Sequence, residues 1–241
     1  MLVAAAVCPH PPLLMPEAMG AAGGRGEGGM DEVLAACDAT VAGLKAAGPD
    51  VIVVVGGAAA GAVYEGPVAG SLAEYGVRVG VGTGPPVLPL SLTVGLWLLT
   101  RAGLVAAGPQ ATPQVLLRAV DRAAPAAECL RLGAELAQRA GRVAMLAMGD
   151  GSARKAVGVP GAPDPEAEGY DAEAAAALAA ADPARLARLA PALDEELMVA
   201  GRAAWQVLAG AATGRQLQGQ LRCAVAPFDV GYLVASWDVA G

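Results

Sequence analysis

The chain's only histidine is His10, in Cys8-Pro9-His10-Pro11-Pro12. An imidazole can ligate a metal or move a proton near neutral pH. Proline fixes φ, so Pro9, Pro11 and Pro12 hold His10 in a stiff loop. That placement suits a ligand or a general base; a ring whose nitrogens find backbone partners fits the same residues. A second constellation is Gly149-Asp150-Gly151-Ser152, directly after an apolar run. Such a turn could present backbone N–H groups and the Ser152 hydroxyl to an anion or carbonyl. It is not a G-x-S-x-G nucleophile turn, and a plain turn before a helix fits as well. Ser152 is the one catalytic candidate it offers.

Other patterns exclude more than they suggest. Gly56-Gly57-Ala58-Ala59-Ala60-Gly61 lacks the Lys-Ser/Thr of a phosphate loop, and Gly80 to Gly84 lacks the third glycine of a dinucleotide fingerprint. No H-x-H, H-E-x-x-H or paired-carboxylate pattern occurs. Cys8, Cys37, Cys129 and Cys223 have no close spacing, so free thiols in a reducing compartment are expected, not a disulfide framework or zinc site. Glu166, Glu168, Asp171 and Glu173 fall at a helix start, where negative charge suits the dipole. They read as a solvated face, as do Asp194, Glu195 and Glu196.

A net charge of −7 argues against non-specific nucleic-acid binding. Aromatic residues make up 3%, with Phe228 the sole phenylalanine, which disfavours base stacking and aromatic cages. No stretch offers the roughly 18 uninterrupted apolar residues of a membrane span. The opening MLVAAAVC lacks the basic region and length of a secretion signal. A cytoplasmic protein is therefore expected.

The elements that must position these residues follow from periodicity and breakers. Leu2 to Val7 is a buried strand stopped by proline. Asp31 caps a helix to about Ala47, with Val33, Leu34, Val41 and Leu44 on one face. Val51 to Val55 is a buried parallel strand ending in Gly56-Gly57. Tyr64 to Tyr75 is loop-like, Val77 to Val81 strand-like, and Leu90 to Ala102 a buried helix. Residues 113–123 form a short strand or helix, Ala126 to Ala140 a helix closed by Gly141, and Val143 to Met148 a buried strand. A loop over 158–169 precedes helices at Glu166 to Ala181, Pro183 to Ala190 and Leu193 to Ala209. Strand-like pieces follow between Gln216 and Ser236. The expectation is one α/β domain over residues 1–241: a central, largely parallel twisted sheet with helices on both faces. Ligands in such sheets sit beyond the carboxyl ends of the strands. A pocket formed by His10, Gly56, Gly57, Asp150 and Ser152 is expected there.

Three segments, CPHPPLL (Cys8 to Leu14), GDGSAR (Gly149 to Arg154) and APFDVGYLVA (Ala226 to Ala235), together resemble motifs of the class III extradiol ring-cleavage dioxygenase superfamily. The likeness is to its B-subunit-like and Memo-like members, in the same order and over nearly the whole chain. It implies a B-subunit-like fold and, in catalytic members, an Fe(II) held by two histidines and a carboxylate. The first ligand falls on His10. The second falls near Gly56-Gly57-Ala58, and the acid/base histidine falls on Ala153. Memo-like members use a cysteine as third ligand, which would place Cys223 there, with Asp229 as another nearby acid. Losing a ligand and the acid/base would cost orders of magnitude in rate. The resemblance therefore implies a dioxygenase-like protein with a degraded iron site that binds a small molecule or protein partner. Its rival is an active metal-dependent oxidoreductase using His10 with non-standard ligands, Fe(II) or another divalent ion being the cofactor; a partner chain completing the site is a third. An alanine-rich helical surface would allow a homo-oligomer.

Overall fold

The computed structural model describes residues 1–18, 29–105, 113–154 and 165–239. Its main sheet has seven strands: β1 (Leu2–Cys8), β2 (Val51–Ala58), β3 (Ala62–Tyr64), β6 (Gln114–Asp121), β7 (Val143–Met148), β8 (Leu217–Val225) and β9 (Tyr232–Val239). Their spatial order is β3-β6-β2-β7-β1-β9-β8, and β4 (Ala69–Ser71) with β5 (Gly80–Gly82) makes a separate ribbon. The strands β6, β2, β7 and β1 run parallel, whereas β3, β9 and β8 join antiparallel at the two edges. The parallel core matches the expected architecture, and the antiparallel edges refine it. Residues 113–123 resolve as the strand β6.

Every residue of β1 and β7 is buried, as expected of strands covered on both faces. Alternation then divides the core. Leu2, Ala5 and Val7 point into a layer with α3 (Ala126–Leu136), α4 (Pro165–Ala179), α5 (Pro183–Ala187) and α7 (Arg202–Ala212). Ala4, Ala6 and Cys8 point the other way, against α1 (Met30–Ala46) and α2 (Leu90–Arg101). Among the described residues no helix is long and apolar enough to cross a membrane.

Several local expectations change. Asp31 lies in the first turn of α1 and is not its cap; Gly29 holds that position at φ 76°, with no side-chain cap bond. Strand β2 runs through Gly56-Gly57 to Ala58, paired with Ala119 to Asp121 of β6; the glycine at 56 makes room for α2, since a β-carbon there would lie 2.5 Å from the Ser91 side chain. The stretch expected as loop from Tyr64 contains β4, and α3 stops at Leu136. The loop over 158–169 lies outside the described residues to 164, and from Pro165 it is helix. The helix expected over Leu193 to Ala209 is broken. A short α6 (Leu193–Glu196) and α7 flank a bend in which Met198 adopts a left-handed φ of 53°.

Candidate functional site

Parallel pairing brings the carboxyl ends of β1, β7 and β2 to one edge. The antiparallel β9 starts there too, since Val7 pairs with Ala235. His10 and Asp150 each stand two residues beyond their strands. The Gly149 N–H donates to the Cys8 carbonyl at 2.9 Å, which registers the two loops. The His10 backbone N–H donates to Asp150 Oδ1 at 2.7 Å. His10 Nδ1 lies 3.6 Å from the same oxygen, beyond hydrogen-bonding distance. The His10 residue is 7% exposed, and its Nδ1 has no hydrogen-bond partner. Tyr232, at the start of β9, completes this group. Burial, and secondarily the Asp150 carboxylate, push its phenol up to about 12. It therefore keeps its proton through the physiological range.

Gly56 and Gly57 border the group at the end of β2, with the Ser91 hydroxyl donating to the Gly57 carbonyl at 2.9 Å. Ser152 is also brought to this edge, but in another role. It is fully buried; its hydroxyl donates to the Leu197 carbonyl at 2.8 Å and accepts from the Arg154 N–H at 3.0 Å. Its backbone N–H donates to Asp171 Oδ1 at 2.9 Å. The hydroxyl fastens loops together rather than standing free beside a base, the arrangement a nucleophile needs.

Sequence reasoning missed Asp171, which is 4% exposed in α4 and not on a solvated face. Its carboxylate wedges between two glycines: a β-carbon on Gly151 would lie 2.4 Å from it and one on Gly231 2.0 Å. Gly231 in turn donates to the Ser152 carbonyl at 2.8 Å and accepts from Gly151 at 2.7 Å. Asp194 was misread likewise. It faces the buried Arg202 guanidinium, and burial outweighs that cation, raising its carboxyl above the usual range. Arg202 also donates to the Ala124 carbonyl at 2.9 Å, the Arg122 carbonyl at 2.6 Å and Gln206 Oε1 at 2.7 Å.

The remaining expected ligand, Cys223, lies on β8 near the start of β9. Cys223 is buried on the α1 face, in one core layer with Cys8 and Cys37, and burial raises its thiol. Its neighbour across the strand pair is Val234. Ala58 packs in that apolar layer too, and Ala153 meets the Leu197 carbonyl through its N–H at 3.1 Å. Among the described residues no three His, Cys, Asp or Glu side chains are placed to hold a metal ion. The donor set here is one imidazole and one carboxylate, which does not fit a centre needing two imidazoles and a carboxylate. The three expected loops meet at this edge. An open cavity of about 700 Å³ lies at the amino end of the parallel strands, lined by Val3, Ala46, Arg142 and Arg215 among others.

No family model matches the chain, and no curated protein does. Among solved structures, the uncharacterized protein JW3007 from Escherichia coli K12 is similar, with a TM-score of 0.55 and 17% sequence identity, covering 98% of this chain and 99% of that one. The likeness is one of fold. It supports a mixed α/β architecture whose large central sheet is mostly parallel.

Proposed function

We propose that the chain is a non-catalytic binding protein on a frame like that of the extradiol dioxygenase B-subunit-like proteins, whose strand-end cluster takes a small molecule or a protein partner. The observation that carries this reading is the composition of that cluster. It keeps His10 and Asp150 in contact, while methyl groups of Ala58 and Ala153 stand where the resemblance puts imidazoles. The Ser152 hydroxyl is engaged in loop closure. Without a second imidazole or a free nucleophile, the cluster can hydrogen-bond and carry charge. The chain has no second histidine to share an acid–base step with His10.

A second reading, a metal-dependent oxidoreductase using His10, draws on one observation: His10 Nδ1 is a buried ring nitrogen without a partner, near a carboxylate. Metal analysis of the purified chain, with and without added Fe(II), Cu(I) or Zn(II), separates the two. The binding reading expects substoichiometric metal, unchanged in His10→Ala, and background catechol cleavage. Stoichiometric metal that is lost in His10→Ala overturns it.

A further inference from the structure

We propose that the cavity at the amino end of the parallel strands is a second binding site, for a small organic anion with a carboxylate or phosphate head and an apolar body. It lies on the sheet edge opposite His10 and does not depend on the function proposed for that residue. The cavity measures about 700 Å³ and combines Arg142, Arg215 and Asp238 with Val3, Ala46, Ala47 and Val239. That volume falls within the range of small-molecule sites, about 300–1,000 Å³, and is far more than a bare ion needs.

Among the described lining residues two arginines face one aspartate, in a protein whose formal charge is −7. Arg142 is held in place from below. It donates through Nε to the Gly48 carbonyl at 2.9 Å and through Nη2 to the Ala47 carbonyl, at the end of α1, and its backbone N–H donates to Asp50 at 2.8 Å. Among the described residues its other terminal nitrogen makes no hydrogen bond. Arg215 is half-buried and forms no ion pair among the described residues. Its Nε is sealed from solvent without an acceptor. The Met1 amino nitrogen, also at the cavity, donates to the Ala140 and Gly141 carbonyls at 2.9 and 3.0 Å.

Among the described residues the half-buried Arg215 guanidinium pairs with no carboxylate, and a ligand anion could supply that partner. Its planar fork matches a carboxylate or phosphate, and Arg142 lines the same cavity. The apolar residues would cover the body of the ligand.

The test is titration of the full chain, by calorimetry and by amide NMR, with benzoate, octanoate, phenyl phosphate and inorganic phosphate. Saturable binding of at least one organic anion is expected, with shifts at Gly43, Ala46 and Ala47. Arg215→Gln should weaken it about tenfold or more, the scale of one lost charged hydrogen bond, while thermal melting stays near wild type. His10→Ala should leave it unchanged, which separates this site from the strand-end cluster. Arg215→Lys should recover part of the affinity, since charge returns without the fork. No saturable binding, an affinity unaltered by Arg215→Gln, or inorganic phosphate binding as tightly as every organic anion would each overturn the proposal.

Discussion

The backbone N–H of His10 donates to the Asp150 carboxylate at 2.7 Å. A single oxygen thereby fixes the loop after β1 to the loop after β7 and sets the imidazole beside it. Asp150→Ala removes the acceptor from a largely buried amide. Leaving such a group unpaired costs about 1–3 kcal/mol. Asp150→Asn keeps a carbonyl oxygen in place, so its loss should be the smaller of the two. Urea denaturation of both variants checks the order. Equal stability in all three proteins would mean that the bond contributes nothing.

Asp171 and Gly231 make a tighter relationship. The carboxylate occupies the space a β-carbon on residue 231 would need, at 2.0 Å, and it accepts the Ser152 N–H at 2.9 Å. Gly231→Ala should destabilise the chain by about 1–3 kcal/mol, the range for overpacked interiors. Asp171→Ala should also cost about 1–3 kcal/mol, through the unpaired amide it leaves. The double variant should lose less than the two single losses added, because the second change removes the clash created by the first. Melting curves for the four proteins give the coupling directly, and strict additivity would refute it.

These contacts show what the sequence could and could not disclose. Strands β1 and β7 were legible because both faces are covered, so their residues form unbroken apolar runs. His10 was legible as a residue of interest because prolines flank it. Gly56-Gly57 reads as a strand end because glycine often terminates strands, whereas Gly56 continues β2 and admits the side chain of Ser91. Asp171 and Asp194 were illegible because an acid near a helix start is usually solvated, and their partners come from distant segments. Tyr232 joins His10 and Asp150 only because β9 docks antiparallel on β1, a pairing that local periodicity does not encode. The break at Met198 was hidden because its left-handed backbone occurs at a residue type that seldom adopts it.

Arg202 supports the layer behind this site. It is 1% exposed and binds Asp194, Gln206 and two backbone carbonyls. Arg202→Met fills similar volume but strands a buried carboxylate. Breaking one side of such a pair costs about 3–5 kcal/mol. Burial already raises the Asp194 carboxyl from 3.8, and Arg202 is the group lowering it. Without the cation the folded-state value should rise further. A raised acid binds more protons folded than unfolded, so its unfavourable effect grows as pH rises through the window above 3.8. The deficit of Arg202→Met relative to wild type should therefore shrink as pH falls. Chemical denaturation from neutral to mildly acid pH measures this, and a constant deficit would exclude Asp194 as its source.

Tyr232 makes an alkaline prediction of the same kind. Its phenol moves from 10.0 to about 12, first because it is buried and then because the Asp150 carboxylate faces it. The unfolded chain releases this proton near 10, and the folded chain holds it to about 12. The folded state thus binds the extra proton in that window, and stability must fall as pH rises through it. The loss should approach about 2–3 kcal/mol at the top of the window. Tyr232→Phe has no proton to release, so its stability should decline less steeply there. Tyrosinate absorbance of the folded protein should lose one late step in this variant. Asp150→Asn removes the nearby negative charge and should shift that step to lower pH. If Tyr232→Phe follows the wild-type alkaline profile, the phenol ionises freely and is not held by this cluster.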